Sequence, residues 1–438
     1  MCMWPYHPDL LETPVPRYTS YPTAADFGAL DPTAIAGAIE RSDCDVSLYL
    51  HIPFCEKICF YCGCNTGASG RRERVESYLA ALHQEIAAVA ALLPHGAQVR
   101  RIAFGGGSPN AILPRDFLAL IDALYRYFPL VDPELSIELD PRTMDQAWAH
   151  TIGKAGITRA SMGVQTFAPQ CQIAIGRVQS DGLIERTVAW LRENGVTSLN
   201  FDLMYGLPHQ SEHDLAASLE RTVELGADRV ALFGYAHVPH IVKRQSVIDA
   251  SALPGRRARF DMADLGFRML AREGYRPIGF DHFARPRDPM ARAAEKGELR
   301  RNFQGFTDDR ADVLIGMGSS AISGFPDLLA QNEKNNGRYR MHCSQGRLNA
   351  QCGIARSGED QARSALIESL LCRGQVSLAA PLLARSRPRL APFLERGLAS
   401  LKSETLRIEP EGLPYARVIA ALFDPYREAT TRRFSSAI

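Results

Sequence analysis

No apolar run in the sequence approaches the roughly 18 residues needed to cross a bilayer as a helix. Its opening, Met-Cys-Met-Trp-Pro-Tyr-His-Pro, has no basic stretch leading into an apolar one. A membrane span and a secretory leader are both unexpected, and the cytoplasm is the expected compartment. Net charge is nearly absent, +1 over 438 residues, so neither nucleic acid nor an acidic membrane is an expected partner. Lysine is scarce: six of the 50 basic residues, the rest being arginine. A GC-rich coding bias explains that, as would Arg forks that grip carboxylates. No repeat recurs at a solenoid period. What the chain does have is an ordinary 46% apolar and 23% charged content, and enough length for a large core.

Ten cysteines are present, four of them between Cys55 and Cys64; Cys2, Cys44, Cys171, Cys343, Cys352 and Cys372 are scattered. In a long chain expected in the cytoplasm, a tight cluster points to metal or redox chemistry before a disulfide framework. The segment reads Cys55-Glu-Lys-Ile-Cys59-Phe-Tyr-Cys62-Gly-Cys64. Thiolates are natural ligands of iron–sulfur clusters. Intervals of three and two residues let one short loop wrap three corners of a cubane. A fourth iron is then left without a protein ligand, and an exogenous molecule can bind there. Spacing alone leaves two other readings open, a structural zinc site and a closed four-cysteine cluster. Zinc usually draws two cysteine pairs and there is no second CxxC here; Cys64 is a tight reach for a fourth ligand.

Strand and helix patterns alternate along the chain. Short apolar strands are predicted near 47–51, 101–104, 135–139, 159–164, 198–203 and 229–233. Helices with apolar residues three and four apart are predicted near 72–93, 114–127, 144–155, 181–195, 211–226 and 253–273. Six such units argue for an α/β fold built on a parallel sheet, a partial (β/α)6 barrel and not a closed eightfold one. Residues 1–45 form an expected N-terminal extension with a short helix near 32–41. The barrel and its additions take 46–345, the stretch 274–326 reading as loops. A small, mainly helical C-terminal domain is expected over 346–438, with helices at 360–373, 379–387, 390–403 and 415–423, Pro425 ending the last. Glycines and polar residues fall at the C-terminal ends of the predicted strands, where such barrels place their sites.

CxxxCxxC after the first strand of such a barrel resembles the radical S-adenosylmethionine superfamily. The longer run His51–Cys64 is similar to one family within it, the oxygen-independent coproporphyrinogen III oxidases. So are Pro16–Thr23, Gly279–Pro286, Arg301–Gly305, Gly316–Gly318 with Ser320–Ser323, and the tail Arg432-Arg433-Phe434-Ser435. The resemblance implies one 4Fe–4S cluster on Cys55, Cys59 and Cys62, and two molecules of S-adenosylmethionine. For the first molecule it implies Tyr49, Gly106, Glu138 and Ile322. For the second it implies Tyr61, Gly107, Ser108, Gln165, Arg177, Asp202 and Ala236. Cys64 is implied to be no cluster ligand and yet necessary, as a hydrogen donor or a shield. The implied reaction converts two propionates of coproporphyrinogen III to vinyl groups, giving protoporphyrinogen IX. The implied partners are that substrate and a reducing protein such as flavodoxin or ferredoxin, and the chain is expected to act as a monomer.

Plainer readings stand beside these. Glu138 and Asp202 would serve equally as halves of structural salt bridges, Arg177 as a solvated charge, Tyr49 and Ile322 as core, and the glycines as a tight turn. Ser108 stands where the family usually has Thr, Gly176 where Asn is usual and Cys352 where Arg is usual. Arg285 and Arg301, with His282 and Gln304 nearby, are expected to grip substrate propionates. Two alternatives share the barrel. One is a haem chaperone, which would carry an aromatic at position 64 and lack the Pro16–Thr23 segment. The other is a radical methyltransferase that opens haem.

Overall fold

The computed structural model describes residues 4–428; Cys2 and the basic-aromatic tail at 432–435 lie outside them. Six strands form the centre of a 13-stranded sheet: β1 (Asp45–Ile52), β2 (Gln98–Gly106), β3 (Leu130–Leu139), β4 (Arg159–Gln165), β5 (Ser198–Tyr205) and β6 (Arg229–Gly234). They pair in chain order and all in parallel. Each is followed by its helix: α1 (Arg72–Ala90), α2 (Pro114–Tyr127), α3 (Gln146–Lys154), α4 (Asp181–Glu193), α5 (Glu212–Glu224) and α6 (Arg256–Arg272). The partial (β/α)6 barrel is therefore present.

The helices form where apolar spacing gives them a face to bury. In α2, Pro114 occupies the first turn, and Phe117, Leu120, Ile121 and Leu124 recur three or four apart and are buried. Each such side chain contributes about 1.5–3 kcal/mol on leaving water. Phe117 stacks edge-on to Phe104 of β2 with ring centres 4.8 Å apart and against Trp148 of α3 at 5.3 Å. Phe117→Ala would cost about 3–5 kcal/mol. Helix α5 begins with a reciprocal cap, Ser211 and Asp214 bonding each other's backbone N–H.

Beyond the six units the sheet continues on both sides. Val313–Met317 adds in parallel to β1, and His282–Ala284 adds antiparallel to β6. The stretch 274–326, read from sequence as loops, carries a helix, Pro289–Glu295, and six strands of three to five residues, too short to show a period. The hairpin Arg300–Asn302/Gly305–Thr307 leads into Asp308, which reaches the barrel floor. There its carboxylate accepts two bonds from Arg159, both 2.8 Å, and two from Arg101, 2.9 and 3.1 Å. Glu134 of β3 pairs with the same two guanidiniums.

The C-terminal region departs from expectation in two places. Ala350–Ala355, beyond the expected boundary at 345, belongs to the large sheet and pairs with Leu328–Asn332 and with Gly28–Ala29 of the N-terminal extension. The expected helix over 390–403 gives way to a hairpin. Helix Ala380–Glu395 runs on through Pro388 and Pro392, stops before Gly397 at φ +68°, and Ala399–Lys402 then pairs with Thr405–Ile408 and that strand with Gln375–Ser377. Leu406 and Ile408 are buried at a spacing of two, with Arg407 exposed between them. Pro425 starts a last short turn, Pro425–Glu428, after helix Ala416–Ala421 has ended.

Candidate active site

The cysteine loop leaves the end of β1 and folds over the C-terminal mouth of the barrel. Phe54–Cys55 pairs with Gly67–Ala68, which fixes the two ends of the loop. Within it, polar hydrogens are aimed at sulfur. The Cys59 Sγ accepts from Arg142 and Arg177, each 3.3 Å away, and the Cys62 Sγ accepts from the Cys64 backbone N–H at 3.4 Å. Thr66 Oγ1 lies 3.2 Å from Cys55 Sγ. The Cys62 and Cys64 thiols share a hydrogen bond that lowers the pKa of Cys62 and raises that of Cys64. Cys55, Cys59, Cys62 and Cys64 all border one cavity of about 350 Å³.

Arg177, from the turn after β4, spans this mouth. It donates to the Gly163 carbonyl and pairs with Asp140 at 3.1 Å, while Arg142 pairs with Asp140 at 2.7 Å. Burial alone would push the Asp140 carboxyl up; the two guanidiniums overcome it and hold the group below its ordinary range. Asp140 and Arg142 did not emerge from the sequence. The signal was there, since Asp140-Pro-Arg142 follows β3 just as the glycine run follows β2.

Glu138 and Asp202 line the same cavity and carry no guanidinium partner. Glu138 accepts from the Gly106 N–H at 3.0 Å, yet burial pushes its carboxyl up to about 7. Asp202 accepts from Ser161 at 3.1 Å and Asn200 at 2.8 Å and is also raised by burial. Gly106 sits at φ +109°, and a Cβ there would overlap the His51 ring; one at Gly105 would meet the Glu138 carboxyl, 2.7 Å away. The triple glycine thus lets Glu138 and His51 pack under the strand end. His51 is kept neutral by burial, its pKa lowered to about 4. Its Nδ1 accepts from the Tyr49 hydroxyl at 3.1 Å and its Nε2 donates to the Asn65 carbonyl at 3.1 Å.

Tyr61, Gly106, Gly107, Glu138, Gln165, Arg177 and Asp202 therefore meet the cysteines at one cavity. Gln165 does so with a left-handed backbone, φ +67°. Four expected residues lie off it. Tyr49 packs with Leu314, Ala321 and Phe303 behind β1, and Ile322 lies on the strand next to them. Ser108 is buried and its hydroxyl donates to Asn110 at 2.7 Å. Ala236 borders the adjoining cavity and shares Gln245 as donor with the Tyr61 carbonyl.

The expected substrate arginines are placed otherwise. Arg285 stacks over Tyr275 at 4.0 Å and donates to the Glu273 carbonyl. Arg301 is buried over Phe306 and Phe280, and its guanidinium donates to the backbone carbonyls of Tyr18 at 3.0 Å and Arg17 at 2.9 Å. Arg301 thus fastens the N-terminal strap in place. Besides Arg142 and Arg177, the arginine that reaches the cysteine cavity is Arg17, lying over Phe233 and donating to the Gly234 carbonyl. His282 and Gln304 face the barrel interior below, His282 with its Nδ1 held 2.6 Å from Asp281.

A parallel α/β sheet with three thiols at its C-terminal mouth defines a radical S-adenosylmethionine enzyme, and residues 49–222 match the Radical SAM superfamily. The chain is 40% identical over 441 residues to oxygen-independent coproporphyrinogen III oxidase of Paracoccus denitrificans, covering 96% of each. It is 36% identical over 438 residues to the Escherichia coli K12 oxygen-independent coproporphyrinogen III oxidase, covering 97% of this chain and 96% of that one. The solved structure of the E. coli coproporphyrinogen III oxidase superposes with a TM-score of 0.91 over 97% of this chain and 99% of that one. The chain belongs to the oxygen-independent coproporphyrinogen III oxidase family.

Membership implies a 4Fe–4S cluster and S-adenosylmethionine, and the loop fits a cluster. A cubane needs thiols around one space, with donors to their sulfurs to offset thiolate charge, and here Cys55, Cys59 and Cys62 border one cavity with Arg142 and Arg177 donating to the Cys59 sulfur. No helix of the described residues is long and apolar enough to cross a membrane.

Proposed function

We propose that this protein oxidatively decarboxylates two propionate side chains of coproporphyrinogen III to vinyl groups without oxygen, yielding protoporphyrinogen IX for haem synthesis. The observation that carries the reading is the convergence of Cys55, Cys59 and Cys62 with Glu138, Asp202 and Arg177 on one cavity. Held by Cys55, Cys59 and Cys62, a 4Fe–4S cluster would supply the one-electron reduction of S-adenosylmethionine from which radical removal of a propionate hydrogen would start.

The residues of the chain bind and orient. Cys55, Cys59 and Cys62 would hold the cluster through their thiolates and leave room on it for S-adenosylmethionine. Arg177 and Arg142 steady the Cys59 sulfur. Glu138 and Asp202, raised in pKa by burial, are placed to receive cationic and hydroxyl groups of the cofactor. Tyr49, Gly106, Glu138 and Ile322 serve one S-adenosylmethionine; Tyr61, Gly107, Ser108, Gln165, Arg177, Asp202 and Ala236 serve a second. Cys64, bonded to Cys62 in the ligand-free protein, stands beside the reacting centre as a hydrogen donor or shield. The protein works as a cytoplasmic monomer fed by flavodoxin or ferredoxin.

The test is anaerobic. Protein with a reconstituted cluster, given dithionite, S-adenosylmethionine and coproporphyrinogen III, should form methionine, 5′-deoxyadenosine and protoporphyrinogen IX. Cleavage of the cofactor without a vinyl product would reject the substrate. Tight haem binding without cleavage would reject the enzyme.

A further inference from the structure

Buried guanidiniums occur in two settings in this fold. On the barrel floor Arg101 and Arg159 share Asp308 and Glu134, and their pKa values are raised. Beside the cysteine cavity lies a second, smaller cavity where the balance is reversed: the guanidiniums of Arg17, Arg259 and Arg417 border it with one carboxylate, that of Asp281. Asp281 is already engaged, its oxygen 2.6 Å from the His282 Nδ1. Among the described residues Arg17 and Arg259 form no ion pair. Each instead donates to a backbone carbonyl, Arg17 to Gly234 at 3.3 Å and Arg259 to Tyr235 at 2.7 Å. The Arg259 Nε is buried with no acceptor, and so is the indole N–H of Trp4, a residue 5% exposed on the same wall. Burial pushes Arg259 down in pKa, and burial with Arg17 adding to it pushes Arg417 down to about 10.

A buried donor or cation without a partner costs stability that the ligand-free fold does not recover. Where such groups gather at a cavity, a ligand that completes their hydrogen bonds accounts for them. Guanidinium forks and an indole N–H select an anion that accepts several bonds at once, and a planar carboxylate does so. The space is about 50 Å³. One water needs about 10–15 Å³ of such space, so a carboxylate fits and a macrocycle does not. Arg17 and Phe233 border both this cavity and the cysteine cavity, so the two lie side by side. A tetrapropionate with one arm at the cysteine cavity has three others to place, and these arginines stand next to it.

We propose that the cavity between Arg17, Arg259 and Arg417 is a socket for one carboxylate of the substrate, on a propionate arm other than the one reacting, with Trp4 adding a hydrogen bond to it. The proposal rests on the reading that coproporphyrinogen III is the substrate. The socket sets position and preference: it anchors one arm so that another lies at the cysteine cavity, and no covalent bond changes within it. Trp4 and Arg17 belong to the N-terminal strap, fastened by Asp264 and Arg301, so the socket is complete only when the strap is docked.

The experiment uses the full chain with its cluster reconstituted, and compares Arg259→Gln, Arg259→Lys and Arg17→Gln with the parent. Anaerobic calorimetry reads affinity for coproporphyrinogen III, for its tetramethyl ester and for S-adenosylmethionine; turnover gives KM and kcat separately. Both Gln variants should bind coproporphyrinogen III about tenfold or more weaker and raise its KM by the same factor. Arg259→Lys keeps the charge, loses the fork and should fall between. The ester should bind parent and variants alike. Without substrate, Arg259→Gln should melt no lower than the parent, since an unmatched buried charge has been removed. Equal affinities for coproporphyrinogen III in all proteins would overturn the proposal. So would an equal loss for the ester, which marks a disturbed fold, and a loss confined to S-adenosylmethionine, which gives the cavity to the cofactor. A parent that neither binds nor converts coproporphyrinogen III would defeat the proposed function instead. Propionate ion then judges the socket: it should raise the melting temperature of the parent and not of Arg259→Gln, and an equal response would overturn the socket as well.

Discussion

At the floor of the barrel Asp308 and Glu134 lie between Arg101 and Arg159, every carboxylate matched by a guanidinium. At the mouth, on the same strands, Glu138 and Asp202 face a cavity with no cation paired to them. Strand β3 carries both kinds, Glu134 below and Glu138 two repeats of the pleat above, with Leu135 and Ile137 buried between them. The consequence is visible in their acidity. Burial pushes on all of these groups and raises Glu134 in spite of its two guanidiniums, but the direct Arg159 and Arg101 hydrogen bonds hold Asp308 far below the ordinary range, whereas Glu138 rises to about 7. A matched charge is structural. An unmatched one at a cavity is a place kept for a ligand.

The sharpest way to separate the two ends is to remove a thiol. Cys59→Ala should abolish both cluster iron and 5′-deoxyadenosine formation, with the fold intact by circular dichroism; retained cluster iron would contradict the assignment. At the floor, Asp308→Ala leaves Arg101 and Arg159 without their shared partner and should destabilise by about 3–5 kcal/mol in denaturant titration. The sign with pH follows: the Asp308 pKa is depressed, so its contribution is present above the unfolded value of about 3.9 and is lost only in strong acid.

Back at the mouth, Arg177→Lys keeps the charge but loses the fork joining Cys59, Asp140 and Gly163. S-adenosylmethionine cleavage should fall about ten- to hundredfold, read with the cluster spectrum as a control; unchanged kinetics would reduce Arg177 to packing. Glu138→Gln should act more gently and in the opposite direction on stability. A raised carboxyl favours the folded state when protonated, so the ligand-free parent should lose melting temperature as pH rises from about 4.5 through about 7. The Gln variant should lose less than the parent across that window, since Asp202 and Glu134 are raised too, while binding S-adenosylmethionine less well. Smallest of all is Arg285→Ala. Stacked on Tyr275 and away from both cavities, it should leave the KM for coproporphyrinogen III unchanged and cost about 0.5–1 kcal/mol.

How much of this could be read from the chain depends on sequence distance. The cysteine loop and the six strand–helix units are local, written in spacings of three, four or two, and they stand in the structure close to where the spacings put them. The floor is not local: Arg101 and Asp308 are 207 positions apart, and no period links them. Arg301 illustrates the same limit. Its motif marks it as special, but only the fold discloses that its donors go to backbone carbonyls 283 and 284 residues away. The misread hairpin at 399–408 has another cause, leucines whose spacing suits helix and strand alike until Gly397 decides between them.

The N-terminal strap joins regions made at very different times. Trp4 donates to Asp264, Arg17 and Tyr18 are buttoned by Arg301, and the Tyr18 hydroxyl donates to Asp424, 406 residues further on. A growing chain must therefore carry the strap undocked until nearly all of its sequence has left the ribosome. Through that interval Arg17 is missing from its place over Phe233, so the wall it gives the cysteine cavity is among the last parts of the site to be completed.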